Sequence, residues 1–113
     1  MASPHERLSA ERASAVARLA ALQREFASLV ESASQANIDD EHDPEGPTVA
    51  FERQHVAALV GQTRDRIAEI DAALGRLADG SYGSCARCGQ PVGAERQAAR
   101  PAATLCVTCA ARR

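Results

Sequence analysis

The chain has 113 residues, 45% of them hydrophobic, yet it carries 25 Ala against two Phe, one Tyr and no Trp. That length allows one domain, or one with an appendage, and alanine buries too little area for a thick core while favouring helix above every other residue. All 13 basic residues are Arg and the net charge is −2, which excludes a polycation built to coat nucleic acid. No apolar run approaches the ~18 residues of a membrane span. The opening Met1-Ala2-Ser3-Pro4-His5-Glu6-Arg7 has no apolar core of a signal peptide. The expected location is the cytoplasm, where four cysteines are a poor fit to disulfides.

The first element is predicted to start at Ser3. Its hydroxyl can cap the helix, Pro4 suits the first helical position, and Glu6 stands three residues on, as in a capping box. Apolar residues then recur at Leu8, Ala15, Leu19, Leu22, Phe26, Leu29 and Ala33. From Ala15 on they alternate in steps of four and three, a heptad stripe. Arg12 interrupts it near the start. Residues 39–46 follow with Asp39, Asp40, Glu41, Asp43 and Glu45 and no basic residue, an acidic loop. A second heptad stripe runs through Val56, Val60, Thr63, Ile67, Ile70, Leu74 and Leu77, with Thr63 its one polar member. Its helix is expected to begin at Asp43-Pro44 or near Pro47-Thr48 and to stop at Asp79-Gly80, where glycine can take the left-handed cap.

Two heptad helices of similar length joined by a short polar loop read as an antiparallel coiled-coil hairpin over 1–79, its tip at 39–46. A parallel homodimeric coiled coil and two helices of a larger bundle are the alternatives.

Residues 80–113 hold Cys85, Cys88, Cys106 and Cys109. Two C-x2-C pairs separated by 17 residues have the spacing of a four-cysteine zinc site. Each tight turn brings two thiolates onto one ion, and Gly89 after the first pair supplies permissive backbone. An all-cysteine set leaves no coordination position for water, so the one zinc is expected to be structural. It would replace the core that a 34-residue segment cannot build. Helical turns are predicted over 93–100, before Pro101, and from Cys106 to the end.

The stretch Asp79-Gly80-Ser81-Tyr82-Gly83-Ser84-Cys85-Ala86-Arg87-Cys88-Gly89, with Ala99-Arg100-Pro101-Ala102-Ala103-Thr104-Leu105-Cys106-Val107-Thr108-Cys109, resembles the zinc finger of DksA/TraR-type proteins. The aromatic-Gly-x-Cys-x-x-Cys-Gly opening and the Arg-Pro before the second pair carry the resemblance. It covers about residues 36–113, and the first helix matches in pattern only. The resemblance implies a bacterial transcription factor that binds core RNA polymerase directly. Such a factor inserts a coiled coil into the secondary channel, acts on initiation and reads no DNA sequence. The family tip pattern Asp-x-x-Asp-x-Ala places Asp40 and Asp43 as tip contacts, with Glu45 third, standing where the family has Ala. His42 among them reads as solvated, with a metal-binding role as the sharper alternative. Some family members also use finger and helix cations to bind the alarmone ppGpp. Arg100 matches one such position, while Glu69 and Ala110 stand where Lys is expected. Arg100 reads equally well as a cap on a carbonyl beside Pro101.

The charge pattern supports the tip reading independently. Five acids within residues 39–45 form a probe for a basic or metal-bearing cleft, and residues 80–113 carry five Arg against Glu95. The expectation is a monomeric regulator that is not an enzyme. A transcript-cleavage factor of the Gre type and a zinc-finger module that binds nucleic acid through its arginines are the alternatives.

Overall fold

A computed structural model of the chain describes the backbone of residues 2–39 and 46–112, with the side chains of 2–34 and 47–112. Asp40, Glu41, His42, Asp43 and Glu45, and with them the proposed tip contacts, lie outside the described residues. The described part is helical: α1 spans Pro4–Asp39, α2 Gly46–Asp79, α3 Ala94–Ala99 and α4 Val107–Ala111. No helix among them is long and apolar enough to cross a membrane.

The start of α1 follows the expected chemistry. The Glu6 amide donates to Ser3 Oγ at 3.1 Å, the Ser3 hydroxyl meets Glu6 Oε1 at 3.3 Å, and Arg7 closes the first turn on the Ser3 carbonyl at 3.0 Å. These bonds satisfy amides that every helix start leaves without a partner. The second helix, α2, stops at Asp79, and Gly80 takes φ 84°. The Ser81 and Tyr82 amides both return to the Arg76 carbonyl, at 2.9 and 3.2 Å. Asp79 Oδ1 accepts from the Ser81 amide and hydroxyl, which holds its carboxyl below the usual range.

The chain divides into two compact units, Met1–Ser14 with Arg66–Arg113, and Ala15–Asp65. In the first, Leu8, Ile70 and Ala73 are fully buried. Leu8 and Ile70 are seam residues of the two stripes. Ala73 is off the stripe, but it stands three residues past Ile70, on the neighbouring helix face. Arg12, the residue that interrupts the first stripe, lies across from Asp71. Its Nε donates to Oδ1 at 2.6 Å and its Nη2 to Oδ2 at 3.3 Å. Glu11 pairs with Arg66, which also reaches Glu69 at 3.6 Å. These α1–α2 contacts put early α1 residues beside late α2 residues, which is antiparallel pairing within one chain. The hydrogen bond from Arg12 holds the Asp71 carboxyl below its ordinary value. The pair's contribution is therefore complete above that ordinary value and is lost as pH falls through the lowered one. Both partners are about half exposed, so solvent keeps the contribution small.

In the second unit Ala15, Leu22, Val56 and Thr63 are buried, while Leu19, Phe26, Leu29 and Val60 are partly covered. Every described member of both stripes is thus shielded from solvent to some degree. Mainly α, a coiled-coil hairpin followed by a small finger, is the fold that the periodicities predict.

Truncating a fully buried seam residue removes its transfer energy and leaves a cavity. Ile70→Ala is expected to cost roughly 2–5 kcal/mol, read as a lower denaturant midpoint with the slope unchanged.

Candidate functional site

The finger begins as the α2 cap ends. Gly83, at φ 92°, turns the chain, and its carbonyl accepts from the Val92 amide at 2.8 Å. Ser84 and Pro91 form an isolated antiparallel bridge, and the Cys85 amide donates to the Gln90 carbonyl at 2.8 Å. Between these bonds the chain folds into the first C-x2-C turn. Gly89, at φ 76°, sends its amide back to the Cys85 carbonyl at 2.9 Å. That positive φ is the reason glycine follows the second cysteine.

The second pair sits at a helix start. Cys106 is the N-cap of α4, its Sγ accepting from the Cys109 amide at 3.5 Å and its carbonyl from the Ala110 amide at 2.9 Å. Cys109 is one turn on, so both sulfurs face the same point. Four bonds fasten the halves of the finger together, one of them from Arg87 Nη1 to the Arg112 carbonyl at 2.7 Å. The Ala86 amide donates to the Thr104 carbonyl at 2.8 Å. The Tyr82 hydroxyl donates to the Pro101 carbonyl at 2.7 Å. Arg96 Nε donates to the Leu105 carbonyl at 2.7 Å. The tyrosine bond ties the residue before the first pair to the Arg-Pro segment before the second.

The four Sγ atoms lie within 4.8 Å of one another. Zinc–sulfur bonds of about 2.3 Å in a tetrahedron place sulfurs about 3.8 Å apart. Cys88 and Cys106 stand at 3.8 Å, which is that edge and well beyond the ~2.05 Å of a disulfide. Cys85 and Cys109 are buried, Cys106 half-buried and Cys88 exposed. Backbone amides differ in how they treat the thiols. Hydrogen bonding from Cys106 and then Cys88 draws the Cys85 thiol down to about 6, whereas burial pushes Cys109 up to about 12. The donor set is soft, closed and fourfold, and it fits one structural zinc.

Beside this centre lies a cleft of about 430 Å³ between α2 and the finger, lined by Glu69, Arg76, Arg96, Arg100, Ala110 and Arg112 among others. Arg100, Glu69 and Ala110, which the family resemblance singled out together, all line it. The side chain of Arg100 makes no hydrogen bond among the described residues, so it does not cap a carbonyl there. Arg76, Arg96 and Arg112 also line the cleft and were not singled out in the sequence. They come from three elements, and nothing in their local spacing links them. Against their charge stands Glu69, already partnered by Arg66.

Four convergent cysteines on a short hairpin and a helix start define a C4 zinc finger, here appended to a helical hairpin. Residues 80–113 match the prokaryotic dksA/traR C4-type zinc-finger family. The chain is 52% identical over 54 residues to the RNA polymerase-binding transcription factor DksA of Caulobacter vibrioides, in each of two strains. That match spans 44% of this chain and 38% of the relative's length. The structure of transcription factor DksA2 from Pseudomonas aeruginosa superposes with a TM-score of 0.58 at 27% identity, over 93% of this chain and 81% of that one. Residues 80–113 are thus a zinc finger of the DksA/TraR C4 type, and the chain as a whole is similar in fold to DksA2.

Removing zinc with a chelator, or making Cys106→Ser, is expected to abolish the finger's dispersed amide signals while leaving most helical circular dichroism. Metal analysis of the intact protein should return one zinc per chain, and zinc absent from freshly purified, folded protein would count against the site.

Proposed function

We propose that the protein is a transcription regulator that binds core RNA polymerase directly and presents its acidic segment, residues 39–46, inside the secondary channel. The observation that carries this reading is the 52% identity to an RNA polymerase-binding factor. The matching hairpin-and-finger architecture of DksA2 supports it over nearly the whole chain. In this reading the zinc finger anchors α2, and α2 leads from the finger to the acidic segment. Asp40, Asp43 and Glu45 are the tip contacts. Their carboxylates seek cationic side chains or a metal-bearing centre, where charge interactions strengthen as water is excluded. Zinc takes no chemical part, because four thiolates fill its coordination sphere. The protein is a cytoplasmic monomer in this account, neither cleaves RNA nor reads DNA sequence, and alters initiation by occupying the channel.

Arg100 supplies a second contact. Its guanidinium, in a cleft lined by three further arginines, suits an anionic group on the polymerase or a bound ppGpp. Arg100→Ala is expected to weaken polymerase binding several-fold, or to leave binding intact and remove any response to ppGpp. An unchanged affinity and an unchanged ppGpp response would remove Arg100 from the interface.

The tip is tested by Asp40→Ala combined with Asp43→Ala. The double variant is expected to bind core polymerase within about twofold of the parent and to lose its effect on transcription from a sensitive promoter. A variant that regulates like the parent would contradict the tip mechanism. RNA cleavage in a backtracked complex would point instead to a Gre-type factor.

A further inference from the structure

We infer that α2 contains a built-in flexure at Leu59–Thr63, where its hydrogen-bond ladder opens more readily than in the turns on the finger side. Four observations meet there. Gly61 lies in the interior of a 34-residue helix, and a Cβ built on it meets nothing within 4 Å. No close packing calls for glycine at this position, so its main effect is to loosen the backbone. Two residues on, Thr63 is buried at 6% exposure, and its hydroxyl donates to the Leu59 carbonyl at 2.7 Å. That is the carbonyl α-helical geometry assigns to Thr63's own amide, and such sharing weakens and bends helices. Packing there is thin as well. Of the stripe residues within 59–63, Thr63 is buried and Val60 only partly covered. A cleft of about 350 Å³ lined by Phe26, Ala57, Val60 and Gly61 among others opens beside them. Finally, the boundary between the compact units falls at Asp65–Arg66, two residues past Thr63.

Gly75 provides the internal comparison. It too is a helix-interior glycine with open space around it. Its neighbours, however, are the fully buried Ile70 and Ala73, and no side chain competes for the ladder nearby. One loosening feature alone makes no flexure; at 59–63 they coincide. If the protein enters a polymerase channel, which rests on the reading above, this flexure lets the segment that bears the acidic tip adjust to the channel while the finger stays anchored.

Native-state amide hydrogen exchange on the full zinc-loaded chain tests the flexure without polymerase, so its outcome is independent of the functional reading. Amides 61–65, whose bonds span the flexure, are expected to exchange at least tenfold faster than amides 70–74. Gly61→Ala is expected to slow 61–65 by roughly fivefold, with Thr63→Val slowing them further, while Gly75→Ala leaves them unchanged. Equal protection at 61–65 and 70–74 in the parent would overturn the inference. So would a Gly61→Ala variant that slows these amides no more than Gly75→Ala does.

Discussion

The finger has almost nothing apolar to bury. Beyond Gly80 the buried residues among those described are Cys85, Val92, Pro101, Ala102 and Cys109, two of which are themselves metal-ligand candidates. Val92, Pro101 and Ala102 are too small a core to hold some thirty residues in place. Four thiolates on one ion supply the fixed point that such a core lacks. Every local feature of the finger is arranged to deliver sulfurs to that point. Gly83 and Gly89 supply the turns, Cys106 caps its own helix, and the Tyr82–Pro101 bond joins the halves. The arginine cleft depends on the same centre, since Arg96, Arg100 and Arg112 are placed by finger backbone that zinc holds.

The hairpin relies on a different economy. A thin seam of Leu, Ile, Val and Ala, with no Trp and only one fully covered large residue from each helix, is offset by length and helix propensity. Polar contacts add orientation. Arg12–Asp71 and Glu11–Arg66 are exposed enough to contribute little energy, but they disfavour other registers by leaving charges unmatched.

What could be read in the sequence follows from the range of the interaction. The cap at Ser3, the stop at Gly80, the two stripes and the helical turns around Pro101 and Cys106 depend on residues within one or two turns, and the structure has them where the residues predict. The C-x2-C turns are local too, and their convergence follows from the chemistry of one ion. Contacts between residues far apart in the chain left no local trace. Arg12 looked like a flaw in a stripe until Asp71, 59 residues away, lay opposite it. Ala73 is off the heptad yet fully buried, so the covered face is wider than the stripe. Of the cleft, family resemblance reached Arg100, Glu69 and Ala110, but Arg76, Arg96 and Arg112 come together only through the fold.

The near-neutral total charge conceals two segments of opposite sign, five acids in 39–45 and an arginine-rich finger. That polarity, together with a DksA/TraR-type zinc finger, is the basis for reading the protein as a polymerase-channel regulator. The most direct measurement is titration of the zinc-loaded chain against core RNA polymerase, repeated after chelation. The account predicts saturable one-to-one binding that chelation abolishes, because the finger anchors the contact. Zinc-loaded protein that fails to bind core polymerase would contradict it.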